Sequence, residues 1–132
     1  MSTERGRAAA STWVLRAGFG LAVAANMWGL YAPEQLGDPL FPGVDKVAHL
    51  GSFALVMLLG QLVGIRPRLL ASVLVVHAAA SEVVQHVLLP GRSGDVIDLL
   101  ADVVGIGLGW ALAVAVRRAR RAVARAGTDR GR

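Results

Sequence analysis

The chain of 132 residues contains no cysteine. Disulfides, thiolate metal sites and cysteine nucleophiles are therefore excluded. It also lacks any sustained alternation of apolar and polar residues, so the strand signal is missing. A lone strand could not satisfy its backbone in lipid in any case. Basic charge comes almost wholly from one residue type, with 13 arginines against the single Lys46. Most telling is the want of a polar face. Apolar residues make up 55% of the chain, and they fall in blocks instead of being dispersed by periodicity. Soluble domains average about 45–50%.

Four blocks approach the length of a membrane span, which is about 20 residues. They run from Trp13 to Tyr31, Val47 to Ile65, Leu69 to Leu89 and Val96 to Val116. A soluble bundle would need a polar stripe on each helix to meet water, and these blocks leave none. The expected class is an all-α, polytopic membrane protein with four transmembrane helices. The expected organisation is an N-terminal segment over 1–12, a membrane domain over 13–116 and a basic tail over 117–132. Gly64-Ile65-Arg66-Pro67-Arg68 and Pro90-Gly91-Arg92-Ser93-Gly94 read as tight turns. The segment from Ala32 to Val44, with Pro33, Pro39, Pro42 and Gly43, reads as a loop. A cleavable signal peptide ending near Ala22-Val23-Ala24 is disfavoured, because the apolar run continues through Met27-Trp28-Gly29-Leu30.

Charge assigns an orientation. Arg5, Arg7 and Arg16 lie at the start of the first span, and Arg66 and Arg68 lie between the second and third. Arg117, Arg118, Arg120, Arg121, Arg125, Arg130 and Arg132 follow the fourth. In a four-span chain these 12 residues share one side, leaving Lys46 and Arg92 on the other. Cytoplasmic loops are enriched in Lys and Arg, so both termini are expected inside. A net charge of +5 raises nucleic acid as a partner. Its concentration in a tail beside an apolar span suits an anionic membrane surface better, and nucleic acid is not expected.

The opposite side collects the polar motifs. Asp45, His49 and Ser52 follow i, i+4, i+7 spacing and share a face at the start of the second span. Asp95, Asp98 and Asp102, at i, i+3, i+7, share a face at the start of the fourth. Ser81, Glu82, Gln85 and His86 lie near the end of the third. Glu82 is ~10 Å below Leu89 and Asp102 ~9 Å below Val96, a similar depth on neighbouring helices. Carboxylates in a span are costly and must face the interior. Asp45, Glu82, Asp95, Asp98 and Asp102 outnumber Lys46 and Arg92. The balance closes by protonating Glu82 or Asp102, by charging a histidine, or by binding a divalent cation. For a single residue such as His77 or Gln61, helix-to-helix hydrogen bonding is the simpler role. Gly60/Gly64 and Gly105/Gly109 are small-residue packing surfaces.

These residues resemble the VanZ-like family. Its pattern is a DK-x-x-H element, then E-x-x-Q, then a GR element followed by Asp, ahead of a glycine-rich last helix. Here they stand as Asp45, Lys46 and His49; Glu82 and Gln85; and Gly91, Arg92, Asp95, Asp98 and Gly105. One departure is Asp102, where the family more often has Asn. The resemblance implies an integral membrane protein acting at the outer side of the cell envelope, with a name taken from teicoplanin resistance.

Three kinds of function are compatible with the cluster. The first is binding, to membrane lipids, a lipid-linked cell-wall precursor or a glycopeptide. Lys46 and Arg92 would meet phosphate or carboxylate groups, and the carboxylates would accept hydroxyls or amines. Its residues would be Asp45, Lys46, His49, Glu82, Gln85, Arg92, Asp95, Asp98 and Asp102. The second is an enzyme acting on lipid-linked phosphate or ester groups, with His49 as base and Arg92 stabilising phosphate. Glu82, Asp98 and Asp102 are then the candidate ligands of a divalent cation. The third is an ion or proton carrier using Glu82, His77 and Asp102, which would call for a homo-oligomer. Cysteines introduced at Ser93 and Thr128 test the orientation. Ser93→Cys should react with an impermeant thiol reagent in intact cells and Thr128→Cys should not; the reverse pattern would invert the topology.

Overall fold

The computed structural model describes residues 2–32, 41–89 and 96–129. Residues 33–40 of the proline-rich loop and the Pro90 to Gly94 turn, with Arg92 and Asp95, lie outside the described residues, as do Arg130 and Arg132. Every described element is helical: α1 (Ser2–Tyr31), α2 (Val44–Val63), α3 (Pro67–Leu88) and α4 (Val96–Asp129).

The helix ends follow from local chemistry. Gly43 precedes α2 at φ 84 and Gly64 follows it at φ 106, left-handed positions that glycine adopts without strain. The Gly64 N–H donates to the Gln61 carbonyl and the Ile65 N–H to the Gly60 carbonyl, closing the last turn. Pro67 then opens α3, where its missing N–H costs nothing. So short a connection folds α2 and α3 into an antiparallel pair. The outer helices run past the expected limits. α1 starts well before Trp13, and α4 continues beyond Val116 as one helix of 34 residues. Arg and Ala are good helix formers, and no proline interrupts the extension. At 1.5 Å per residue α4 is ~51 Å long, more than a bilayer core of about 30 Å requires.

Among the described residues α2, α3 and α4 are long and apolar enough to cross a membrane. The first expected span lies within α1, which is not one of those three and carries Arg16 and Asn26. Exposure is inverted relative to a soluble protein. Val76 is 69% exposed, and Val83, Val87, Leu100, Val104, Leu108 and Leu112 are exposed with it. Lipid, not water, suits that surface.

The interior is a thin seam. α1 supplies Ala22, Asn26 and Leu30; α2 supplies Phe53, Val56, Met57, Gly60 and Gln61; α3 supplies Leu70, Leu74, Ala78, Ser81 and Gln85. α4 supplies Asp98, Asp102, Ile106 and Ala113. α2 and α4 are parallel and make the tightest contact. A methyl group at Gly105 would strike the Leu50 carbonyl oxygen, and one at Gly109 would strike the Ala54 carbonyl oxygen and Met57 Cβ. These are backbone collisions with no flexible neighbour to yield. Gly107, on the same helix, has nothing within 4 Å of such a methyl. Gly105→Ala or Gly109→Ala should therefore destabilise the protein by about 1–3 kcal/mol. Gly107→Ala should be neutral or stabilising, since Ala is the better helix former. Thermal unfolding in detergent checks this, and equal effects at the three sites would refute the close approach.

Candidate functional site

The parallel register of α2 and α4 builds the site as rungs of a ladder. Lys46 and His49 are three residues apart on α2, and Asp98 and Asp102 four apart on α4, so each pair shares a face. Lys46 Nζ donates to Asp98 Oδ1 at 3.0 Å. One turn further along, His49 Nδ1 lies 2.9 Å from Asp102 Oδ1. Below that come the glycine contacts.

Environment differs between the rungs. The Lys46 side chain is 34% exposed and Asp98 11%, whereas His49 is 12% and Asp102 0% exposed. Lys46 also donates to Asp45 Oδ2 at 3.0 Å, and Asp45 itself is exposed. Lys46 thus serves two carboxylates at the rim. Glu82 enters from α3. One ligand atom each of His49, Glu82 and Asp102 lie within 4.8 Å of one another. Asp102 Oδ2 is buried with no hydrogen-bond partner among the described residues.

Polar contacts hold the surrounding helices. Asn26 Nδ2 on α1 donates to Ser52 Oγ at 3.0 Å, and the Ser52 hydroxyl donates to the His49 carbonyl at 3.0 Å. Ser52 therefore supports the backbone of His49 from the side away from Asp102. Gln85 Nε2 donates to the Leu30 carbonyl at 3.0 Å, in the last turn of α1. It ties α3 to α1 and does not join the carboxylates. Ser81 Oγ donates to the Ala78 carbonyl of its own helix at 2.8 Å. His77 packs between Tyr31 and Phe53, ring centroids 5.9 and 5.8 Å away, nearer mid-helix. His86 is exposed.

Of the residues expected at the site, Lys46, His49, Glu82, Asp98 and Asp102 converge at one end of the bundle. Asp45 is at its rim. Arg92 and Asp95 lie outside the described residues. Two further polar side chains join helices, one beside the site and one at the far end. Asn26 interrupts an apolar helix at the position between Ala22 and Leu30, on the inward stripe, which is the signal a polar interior residue leaves. Arg117 had been assigned to the tail, yet its guanidinium donates to Gln61 Oε1 at the far end of the α2–α4 pair. The cleft lined by Arg66, Pro67, Arg68, Leu69 and Trp110 is also at that basic end, remote from the histidine–carboxylate group.

The arrangement can do two things chemically. The rim pair presents an ammonium that an incoming anion can share. The deeper group presents an imidazole fixed by a carboxylate, which orients its ring and sets which nitrogen carries the proton. A double-mutant cycle of Lys46→Met with Asp98→Asn should give a favourable coupling in unfolding that weakens as salt is raised, since the pair lies at the rim. Additive effects would mean that the rung contributes nothing.

A family model described as VanZ/LLP1 matches residues 5–117. No curated protein and no solved structure matches the chain.

Proposed function

The chain belongs to the VanZ/LLP1 family, and from that premise we propose a multi-pass cell-membrane protein whose polar cluster binds envelope lipids or lipid-linked cell-wall precursors at the extracytoplasmic face. The observation that carries this reading is the convergence of Lys46, His49, Glu82, Asp98 and Asp102 at the end of the bundle opposite Arg66, Arg68 and Arg117. Buried ionisable groups inside membrane helices mark ligand or ion sites more often than packing. The basic end belongs in the cytoplasm by the positive-inside rule, which puts the cluster outside.

In this reading α1 is the fourth span. It lies antiparallel to α2, with Asn26 satisfied by Ser52 and so no unpaired amide turned to lipid. Arg16 sits 5.7 Å from the Trp13 ring centroid, near the cytoplasmic border, where a long cationic side chain reaches headgroups. Glycopeptide resistance, including resistance to teicoplanin, would be a consequence of what the outer site holds. The family's name supports that link and no residue specifies it.

A membrane enzyme acting on lipid-linked phosphate or ester groups is the second reading. It is favoured by one contact, Asp102 against His49 Nδ1, the pairing that prepares an imidazole as general base.

Binding of a labelled lipid-linked precursor to the protein in nanodiscs tests the proposal. Arg92, the remaining cation expected on this side, would grip phosphate through its planar fork, a geometry Lys does not reproduce. Arg92→Lys and Arg92→Ala should therefore both bind at least about tenfold more weakly, the worth of one charge-assisted contact. Full binding by Arg92→Lys would mean that charge alone suffices. Full binding by Arg92→Ala would remove Arg92 from the site, and no binding by the wild type would refute the proposed function.

A further inference from the structure

We propose that His49, Glu82 and Asp102 are the ligands of one divalent transition-metal ion, with zinc the ion their chemistry suits best. The inference gives the deeper half of the cluster a task of its own. Its role in ligand binding rests on the function proposed above, but the site itself does not.

Geometry comes first. The three ligand atoms come from three helices, α2, α3 and α4, and lie within 4.8 Å of one another. Two ligands on one zinc ion, each at about 2.1 Å, are at most ~4.2 Å apart. The set is thus close to ligating spacing. The donors are one imidazole nitrogen and two carboxylate oxygens, a borderline set that fits zinc better than magnesium or calcium, which take all-oxygen shells. Three protein ligands leave a fourth position for water or for an oxygen of a bound molecule, the pattern of an open zinc site.

Charge supplies the independent reason. Asp102 is fully buried, and its Oδ2 has no hydrogen-bond partner among the described residues. A buried carboxylate oxygen without a partner is costly in a medium with no water to serve it. Lys46 is not the missing cation, because it spans Asp45 and Asp98 a turn nearer the rim, at 3.0 Å from each. A protonated His49 pairs with Asp102 Oδ1 and leaves Oδ2 bare. A divalent ion with neutral imidazole engages that bare oxygen. A proton shared between the carboxylates is the competing solution, and it predicts different behaviour.

The site also sits on a firm base. Gly105 clamps α4 to the Leu50 carbonyl one turn below Asp102, and Ser52 holds the His49 carbonyl. The ligand-bearing backbone is thus fixed on two sides, which keeps low the reorganisation a metal would otherwise demand.

The full chain, purified without a histidine tag and stripped with chelator, is offered zinc alone or cobalt alone. Zinc should be retained stoichiometrically after dialysis. Cobalt should develop visible ligand-field bands of a low-coordinate nitrogen–oxygen site. His49→Ala, Glu82→Gln and Asp102→Asn should each lose stoichiometric zinc, while His86→Ala, at an exposed histidine outside the trio, should keep it. Should those ligand variants fail to fold, the wild-type zinc content and cobalt spectrum still decide. A stripped wild type that takes up neither ion, or ligand variants that keep zinc, would overturn the site. So would an Asp102→Asn protein that melts as high as wild type loaded with zinc, since the metal would then contribute no stability. Zinc bound with no lipid-linked precursor binding would refute the proposed function and leave the metal site standing; precursor binding without zinc would do the opposite.

Discussion

Two helix backbones touch where Gly105 meets the Leu50 carbonyl and Gly109 meets the Ala54 carbonyl, and the rest of the molecule is arranged around that contact. In lipid there is no hydrophobic force between helices, because acyl chains are as apolar as leucine. Close backbone packing and polar contacts must supply the attraction instead. Glycine at two positions one turn apart allows α4 to lie in the groove of α2, and in doing so it fixes register. Both helices advance by 1.5 Å per residue in the same direction. With Leu50 beside Gly105, the side chains of His49, one residue outward on α2, and Asp102, three residues outward on α4, meet, and a turn beyond them Lys46 meets Asp98. In the other direction the same register carries Gln61 to Arg117. The site is a consequence of the glycine contact and not an addition to it.

The polar groups of the α2–α4 pair lie at its two ends. From Asp98 to Arg117 the axial distance is ~28 Å, close to the thickness of a bilayer core. Between them the contact is apolar or backbone. Ionisable groups near an interface cost less than at mid-depth and can still be reached by headgroups and water. α1 and α3 then satisfy what remains. Asn26 reaches Ser52, Ser52 reaches a backbone carbonyl, and Gln85 reaches the last turn of α1. In each case a short polar side chain spends itself on a neighbouring helix. This explains why so few polar residues suffice to hold a bundle with a seam this thin.

What could be read from the residues divides along a physical line. Block length and turn residues predict the four helices and the short α2–α3 turn, because both are local properties of the chain. The packing role of Gly105 and Gly109 was legible for the same reason, as was the shared face of Asp98 and Asp102. Partners across helices were not. Periodicity gives a residue's direction around its own axis and its depth, and it says nothing of which helix stands opposite. Asp45, His49 and Ser52 were expected to act as one face. In the fold Asp45 points to the rim, His49 to α4 and Ser52 to α1. Helix ends in water were equally hard to place. Arg117 to Arg125 reads as a charged tail, yet an alanine- and arginine-rich stretch has no reason to stop being helical once it leaves the bilayer.

The stacking of the two rungs has a consequence for what the cluster can bind. Its charge is acidic in sum, so a bare anion such as a phosphate would be repelled by the group as a whole. Among the described residues Lys46 is the exception, and it is held in place by Asp98 and Asp45. An anion that draws Lys46 away leaves Asp98 without its partner, directly above the histidine–carboxylate group. Extra negative charge there strengthens the attraction for a cation below. A cation in the lower group, conversely, offers Asp98 a second source of positive charge and makes Lys46 easier to release. Each event therefore favours the other, and by linkage the effect must be equal in both directions. An acidic pocket in a membrane is a poor receptor for a phosphate-bearing headgroup by itself, and a workable one for a headgroup and a cation together.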